Sequence, residues 1–183
     1  MTDTAFTSRG VAAFDALPEH EAAPLLESCC GSHEWVQGML ARRPFGTLRR
    51  VLEAADEVWW SLDTDAWREA FDHHPRIGER SAAATQSDAA RAWSADEQRA
   101  ASDAAAGTRQ ALAEGNREYE RRFGHIYLVC ATGKSAEEML VILASRLSND
   151  PATELRVAAG EQAKITRLRL EKLFNSSSRL SES

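Results

Sequence analysis

The segment His73-His74-Pro75-Arg76-Ile77-Gly78-Glu79 puts two imidazoles, a helix stop, a guanidinium and a permissive glycine into seven positions. Imidazole titrates near neutrality, so a turn that holds it in one direction can take and return a proton at physiological pH. On spacing alone the same residues also make an ordinary helix terminus, with His⁺ complementing the macrodipole and Pro75 and Gly78 shaping the turn. Metal binding is the weaker rival. Adjacent histidines point apart on a helix, and the chain has no His-Glu-x-x-His or Cys-x-x-Cys pattern. Ser94-Ala95-Asp96-Glu97 has the spacing of a capping box, and Gln98 follows it. A helix start also gathers amide donors where an anionic substrate can dock, so capping and substrate contact are compatible there.

Arg169 is the third candidate. On a helical wheel of the last segment it falls among Leu155, Ala158, Ile165 and Leu173, whereas Arg167 projects to the other side. A guanidinium aimed inward needs an acceptor. Either it closes an internal salt bridge, or it receives an anionic ligand through two parallel hydrogen bonds.

Helices must position these groups. Leu48, Val51, Leu52, Ala55, Trp59 and Leu62 recur with a helical period. Upstream, Pro18 suits a first turn ahead of Leu25, Leu26 and Cys29, and Ser32 is placed to cap a segment carrying Trp35, Val36, Met39 and Leu40. Thr64 or Asp63 caps a helix through Trp67 and Phe71, and Pro75 stops it. From Ser94 a long helical stretch leads to Tyr119 and Phe123, with Gly107 and Gly115 as breaks that could split it in two. The run from His125 to Cys130 reads as extended, yet no second strand is visible to pair with it, which makes it a buried linker. Ser135 and Glu138 have capping-box spacing for a helix through Met139, Leu143 and Leu147, and Pro151 opens a last helix ending near Phe174. The expectation is an all-α, single-domain bundle of about seven or eight helices, with a core over about 12–174 and a frayed tail at 175–183.

With 183 residues, 43% of them hydrophobic, the chain can close one sizeable core. Its formal charge of −6 disfavours nucleic acid and anionic membranes as partners. Three cysteines, two of them the neighbours Cys29 and Cys30, suit a reducing compartment. The opening residues lack a secretory apolar stretch and the last three are not Ser-Lys-Leu, so a cytoplasmic location is expected. There is no Gly-rich phosphate loop or Gly-x-Ser-x-Gly elbow; Trp35, Trp59, Trp60, Trp67 and Trp93 read as core and interface anchors, and Cys130 as inert packing.

Several motifs in order carry a resemblance. Arg43-Pro44-Phe45 is followed by His74-Pro75-Arg76-Ile77-Gly78-Glu79, Ser94-x-x-Glu97-Gln98 and Tyr119-x-x-x-Phe123-Gly124. The apolar run to Cys130-Ala131, Arg146-Leu147-x-Asn149 and Lys164-Ile165-x-x-Leu168-Arg169-Leu170 complete the series. In this the chain resembles the 2-oxo-4-hydroxy-4-carboxy-5-ureidoimidazoline (OHCU) decarboxylases of urate degradation, in their bacterial form. The resemblance implies an all-α fold, no cofactor, no metal, and conversion of OHCU to (S)-allantoin by a homodimer. By matching position it implies that His74 is catalytic, with Glu97, and that Ser94 and Gln98 contact the substrate. It further implies that Arg169 binds substrate, that Pro75 lines the pocket, and that backbone groups of the Ile126 to Val129 stretch, Ile126 and Leu128 among them, hydrogen-bond the ring. His125-Ile126-Tyr127 departs from the family's aromatic-x-aromatic pattern, and His73 precedes the key histidine. The alternatives from other classes are a non-catalytic helical binding module and a metal-dependent hydrolase using His73, His74 and a carboxylate.

Overall fold

The computed structural model describes residues 10–77 and 106–176, all helix and connecting turn with no strand among them. Eight helices are described: α1 (10–15), α2 (Glu19–Cys29), α3 (His33–Leu40), α4 (Leu48–Ser61), α5 (Thr64–Asp72), α6 (Ala106–Phe123), α7 (Ala136–Arg146) and α8 (Pro151–Ser176). The all-α expectation is met. The chain divides into two compact units, Met1–Ala66 with Ala163–Ser183, and Trp67–Gln162.

The first unit is built on the apolar stripe of α4. Thr47 caps that helix by accepting from the Arg50 amide, and Val51, Leu52, Ala55, Val58 and Trp59 are buried. Ser32 caps α3 in the same way, its hydroxyl taking the Trp35 amide. The two helices approach closely at Gly38, where an added Cβ would lie 2.6 Å from Val58 Cγ1. The Trp35 indole, fully buried, satisfies its N–H on the Ala55 carbonyl at 3.1 Å. Pro18 proves to be the N-cap of α2, one residue ahead of the first turn, and Pro24 lies inside that helix. The Arg43-Pro44-Phe45 motif is a structural fastener. Arg43 Nη1 donates to the carbonyls of Leu17 and Phe14 at 2.8 and 3.3 Å, and the Asp15 carboxylate accepts from the Phe45 and Gly46 amides. Gly46, at φ 72°, supplies the left-handed turn into α4.

The second unit packs α6 against α7 around Leu112, Tyr119, Phe123, Met139 and Leu143. Gly115 does not break α6, which is continuous across both Gly107 and Gly115 to Phe123. The reason is packing: a Cβ at 115 would sit 2.5 Å from Leu143 Cδ2, so the glycine is where the two helices meet. Gly124, at φ 73°, ends α6 with its amide on the Glu120 carbonyl. The Ser135–Glu138 capping box forms as expected, with both reciprocal hydrogen bonds present. In the last helix Leu155, Ala158, Ile165 and Arg169 are buried and Arg167 is exposed, as the wheel predicts. Trp35, Trp59 and Trp67 are core residues, Trp60 is 45% exposed, and Trp93 lies outside the described residues.

Candidate active site

His74 lies just past the end of α5, as the proline at 75 requires. Asp63 starts this helix, its Oδ1 accepting from the Asp65 and Ala66 amides at 2.9 and 3.0 Å. At the other end the His73 and His74 amides close on the carbonyls of Ala70 and Phe71, a tightened last turn. His74 is buried, 8% exposed, whereas His73 is only half-buried. The turn that follows is pinned to α6 twice. The Ile77 carbonyl accepts from Asn116 Nδ2 at 2.6 Å, and Arg76 makes a two-pronged ion pair with Glu120 at 2.6 and 2.9 Å. The ion pair is half exposed and adds little stability, but with the buried Asn116 bond it fixes where the turn runs. Pro75 is half-buried in that turn.

Residues 125–130 are buried and irregular, with a bend at His125 and no partner strand among the described residues. Side chains replace the missing ladder. The Ile126 carbonyl accepts from His125 Nδ1 at 3.1 Å, the Leu128 carbonyl from Arg146 Nη1 at 2.7 Å and the Cys130 carbonyl from Lys134 Nζ at 2.7 Å. The Cys130 amide donates to Glu161 Oε2 at 2.7 Å. The bond to Ile126 fixes the His125 tautomer with its proton on Nδ1, because a carbonyl can only accept. Burial holds the His125 pKa below the usual imidazole range; the Ile126 carbonyl partly opposes this, and the Arg68 charge reinforces it.

Beneath this segment lies a polar network whose chemistry the sequence reading missed. Arg146 Nε donates to Glu154 Oε1 at 2.7 Å and Nη2 donates to the Tyr119 hydroxyl at 3.1 Å. The Tyr119 hydroxyl in turn donates to Glu154 Oε1, and Asn149 Nδ2 donates to Glu154 Oε2 at 2.7 Å. Arg146 and Glu154 are 5% and 0% exposed. Burial, with the neighbouring Glu154 charge, drives the Tyr119 pKa upward despite Arg146, so the phenol keeps its proton and remains a donor. Removing one member of such a buried pair costs about 3–5 kcal/mol, because the other charge is left unpaired. The available signal was Arg146-Leu147-x-Asn149 followed by Glu154, but an acid in the first turn of a helix reads equally well as a dipole partner.

In the first unit, Arg169 is 3% exposed and donates from Nη1 to the Ser28 carbonyl at 3.5 Å. Burial pushes the neighbouring Cys29 thiol up to about 12, against the lowering effect of the Arg169 charge. Cys29, Cys30 and Cys130 are all buried and none is in a disulfide. Ser94, Glu97 and Gln98 lie outside the described residues. Among the described residues no three His, Cys, Asp or Glu side chains are grouped to hold a metal ion, and no helix is long and apolar enough to cross a membrane.

The structure thus brings His74 and the 126–130 segment into one unit, with the ring of Phe71 on α5 against that of His125, and places Arg169 in the other unit. Known proteins share this arrangement of helices. A crystal structure of an OHCU decarboxylase in the presence of (S)-allantoin is 37% identical and superposes with a TM-score of 0.70, covering 81% of this chain and 95% of that one. A crystal structure of (S)-allantoin synthase, 15% identical with a TM-score of 0.67 over 89% of this chain and 53% of that one, shares the fold. The uric acid degradation bifunctional protein TTL of Arabidopsis thaliana is 38% identical over 148 residues, 80% of this chain and 45% of that protein. A 2-oxo-4-hydroxy-4-carboxy-5-ureidoimidazoline decarboxylase of Amia calva is 42% identical over 59 residues, 32% of this chain and 34% of that protein. The matches therefore span less than half the length of these two curated relatives. The OHCU decarboxylase family model matches residues 15–171, and the chain belongs to that family.

Proposed function

We propose that this protein decarboxylates OHCU to (S)-allantoin in urate degradation, without a cofactor. Family membership over residues 15–171 supports the reaction, and the observation that carries the mechanism is a buried His74 in a turn fastened to α6 by Asn116 and Arg76. That match also supports taking about 12–174 as one functional domain.

Losing CO₂ leaves an electron pair, and OHCU provides its own sink, the ring imine next to the carboxylate-bearing carbon. The protein has only to orient the molecule, move protons and bind charge. In this reading the bond to the carboxylate breaks and its electrons form a ring double bond as the imine nitrogen takes up a proton. His74 receives the proton of the substrate hydroxyl, which becomes the product carbonyl, and a proton is delivered to one face of the ureido-bearing carbon. That face sets the (S) configuration. Glu97 orients the hydroxyl or the imidazole, Ser94 and Gln98 hydrogen-bond the ureido or ring groups, and Pro75 lines the pocket. The segment containing Ile126 and Leu128 holds the ring through its backbone. The carbonyls of those two residues are held by His125 and Arg146, which supports a fixed course for that backbone. Arg169 grips an anionic or carbonyl oxygen, for which its burial and planar fork suit it.

We further propose a homodimer in the cytoplasm. The exposed Trp60 offers an apolar anchor for self-association, and three reduced, buried cysteines suit a reducing compartment. Generating OHCU in situ from urate, with and without the purified protein, tests the reaction. Accelerated decay yielding (S)-allantoin by circular dichroism is expected; no acceleration by a folded protein overturns the reading.

A further inference from the structure

The buried 126–130 segment has no strand pairing among the described residues, and side chains hold its backbone instead. The central hold is the one from Arg146 to the Leu128 carbonyl, 2.7 Å long and 18 residues away in sequence. That guanidinium is itself immobilised. Two of its nitrogens are committed to Glu154 and Tyr119, and its carbon lies 5.6 and 4.9 Å from the ring centroids of Tyr119 and Tyr127. Glu154 is anchored through its other oxygen by Asn149. These contacts hold the guanidinium while Nη1 donates to the Leu128 carbonyl.

A buried ion pair is seldom more stabilising than well-packed apolar residues of the same volume, so stability alone is a weak account of it. A planar fork can hold a carboxylate, a phenol and a carbonyl in three fixed directions, which the point charge of a lysine cannot. We propose that Arg146 is a positioning residue of the decarboxylation: it fixes the Leu128 carbonyl, and with it the placement of the backbone stretch that holds the substrate ring. This rests on the reading above that the 126–130 segment meets the substrate.

The test is a kinetic comparison of wild type with Arg146→Lys and Tyr119→Phe on OHCU generated in situ, alongside thermal melts, below the melting temperature of every variant. Arg146→Lys should raise KM about tenfold or more while kcat falls less, because ring placement is lost before the proton chemistry of His74. Tyr119→Phe removes a hydroxyl from the network but leaves the Arg146–Leu128 bond, so KM should change less than about threefold even with a comparable drop in Tm. If Arg146→Lys does not fold, Glu154→Gln, which keeps the shape and removes the charge anchoring the guanidinium, carries the same expectation. A KM that follows Tm across the variants instead of following the Leu128 contact, or one unchanged in a folded Arg146→Lys or Glu154→Gln, overturns the inference. The wild-type control separates the two readings. An inactive wild type sinks the proposed reaction, whereas an active wild type with an indifferent Arg146 sinks only this role.

Discussion

The rings of Phe71 and His125 meet at 5.4 Å, tilted by 50°, and so join the end of the helix that precedes His74 to the start of the buried 125–130 segment. Tyr119 and Phe123 of α6 close round the same imidazole at 5.4 and 6.3 Å. His125 satisfies one nitrogen on Ile126, while Nε2 is buried without a hydrogen-bond partner. It is a neutral histidine in an aromatic cage, where the resemblance leads one to expect an aromatic ring.

That cage makes stability sensitive to acid. Desolvation lowers the folded-state pKa of His125, so below about pH 6.5 the unfolded chain binds a proton that the folded chain resists. The contribution is complete above the unfolded pKa and is lost as pH falls through the folded one. His125→Phe removes the titration, so its Tm advantage over wild type should grow between about pH 8 and pH 5.5. A gap that stays constant with pH would show that the imidazole does not titrate on unfolding.

His74→Asn keeps a polar side chain of similar size in the turn but has no proton to exchange. Turnover of OHCU should fall by about 10²–10⁴ while Tm moves little. Single-time-point product assays would miss residual activity, so initial rates with subtraction of the uncatalysed decay are required. Near wild-type rates would remove His74 from the chemistry.

Arg169→Lys retains the positive charge beside Cys29 and loses the planar fork. KM for OHCU should rise about tenfold, equivalent to about 1.4 kcal/mol, with the fold intact by circular dichroism. An unchanged dependence of rate on substrate concentration would leave Arg169 a structural group.

Two glycines inside helices should respond to alanine with opposite sign. At Gly160 nothing lies within 4 Å of an added Cβ, so alanine should stabilise by about 0.5–1 kcal/mol through helix propensity. At Gly115 the same gain is opposed by a 2.5 Å approach to Leu143 in the core, and overpacking of about 1–3 kcal/mol should make Gly115→Ala the less stable protein. Chemical denaturation of both variants checks the pair.

These glycines also mark what the sequence could convey. Helical period, caps and proline stops are local, and the α4 stripe, Asp63, Ser32, the Ser135–Glu138 box and the Pro75 stop were all readable from neighbours within one or two turns. The inward turn of Arg169 was readable for the same reason, since a wheel needs only its own helix. Gly115 reads as a possible break because the reason for a glycine there, Leu143, lies on another helix. Likewise nothing near Glu154 announces that Tyr119 and Arg146, 35 and 8 residues away, converge on it. His74 was singled out by its proline, whereas the company it keeps on α6, Asn116 and Glu120, is visible only in three dimensions.

The 126–130 segment has one more consequence. In a sheet, sliding a strand by two residues restores both the facing of its side chains and a full set of backbone hydrogen bonds, which is why flat strands can pair in several ways. Here a slide of two would bring another carbonyl to Arg146 but carry Cys130 away from Glu161 and Lys134, the two half-buried side chains that hold its amide and its carbonyl. A set of unlike side-chain partners favours one alignment, and an irregular segment thereby acquires a uniqueness that pairing with a second strand would not by itself provide.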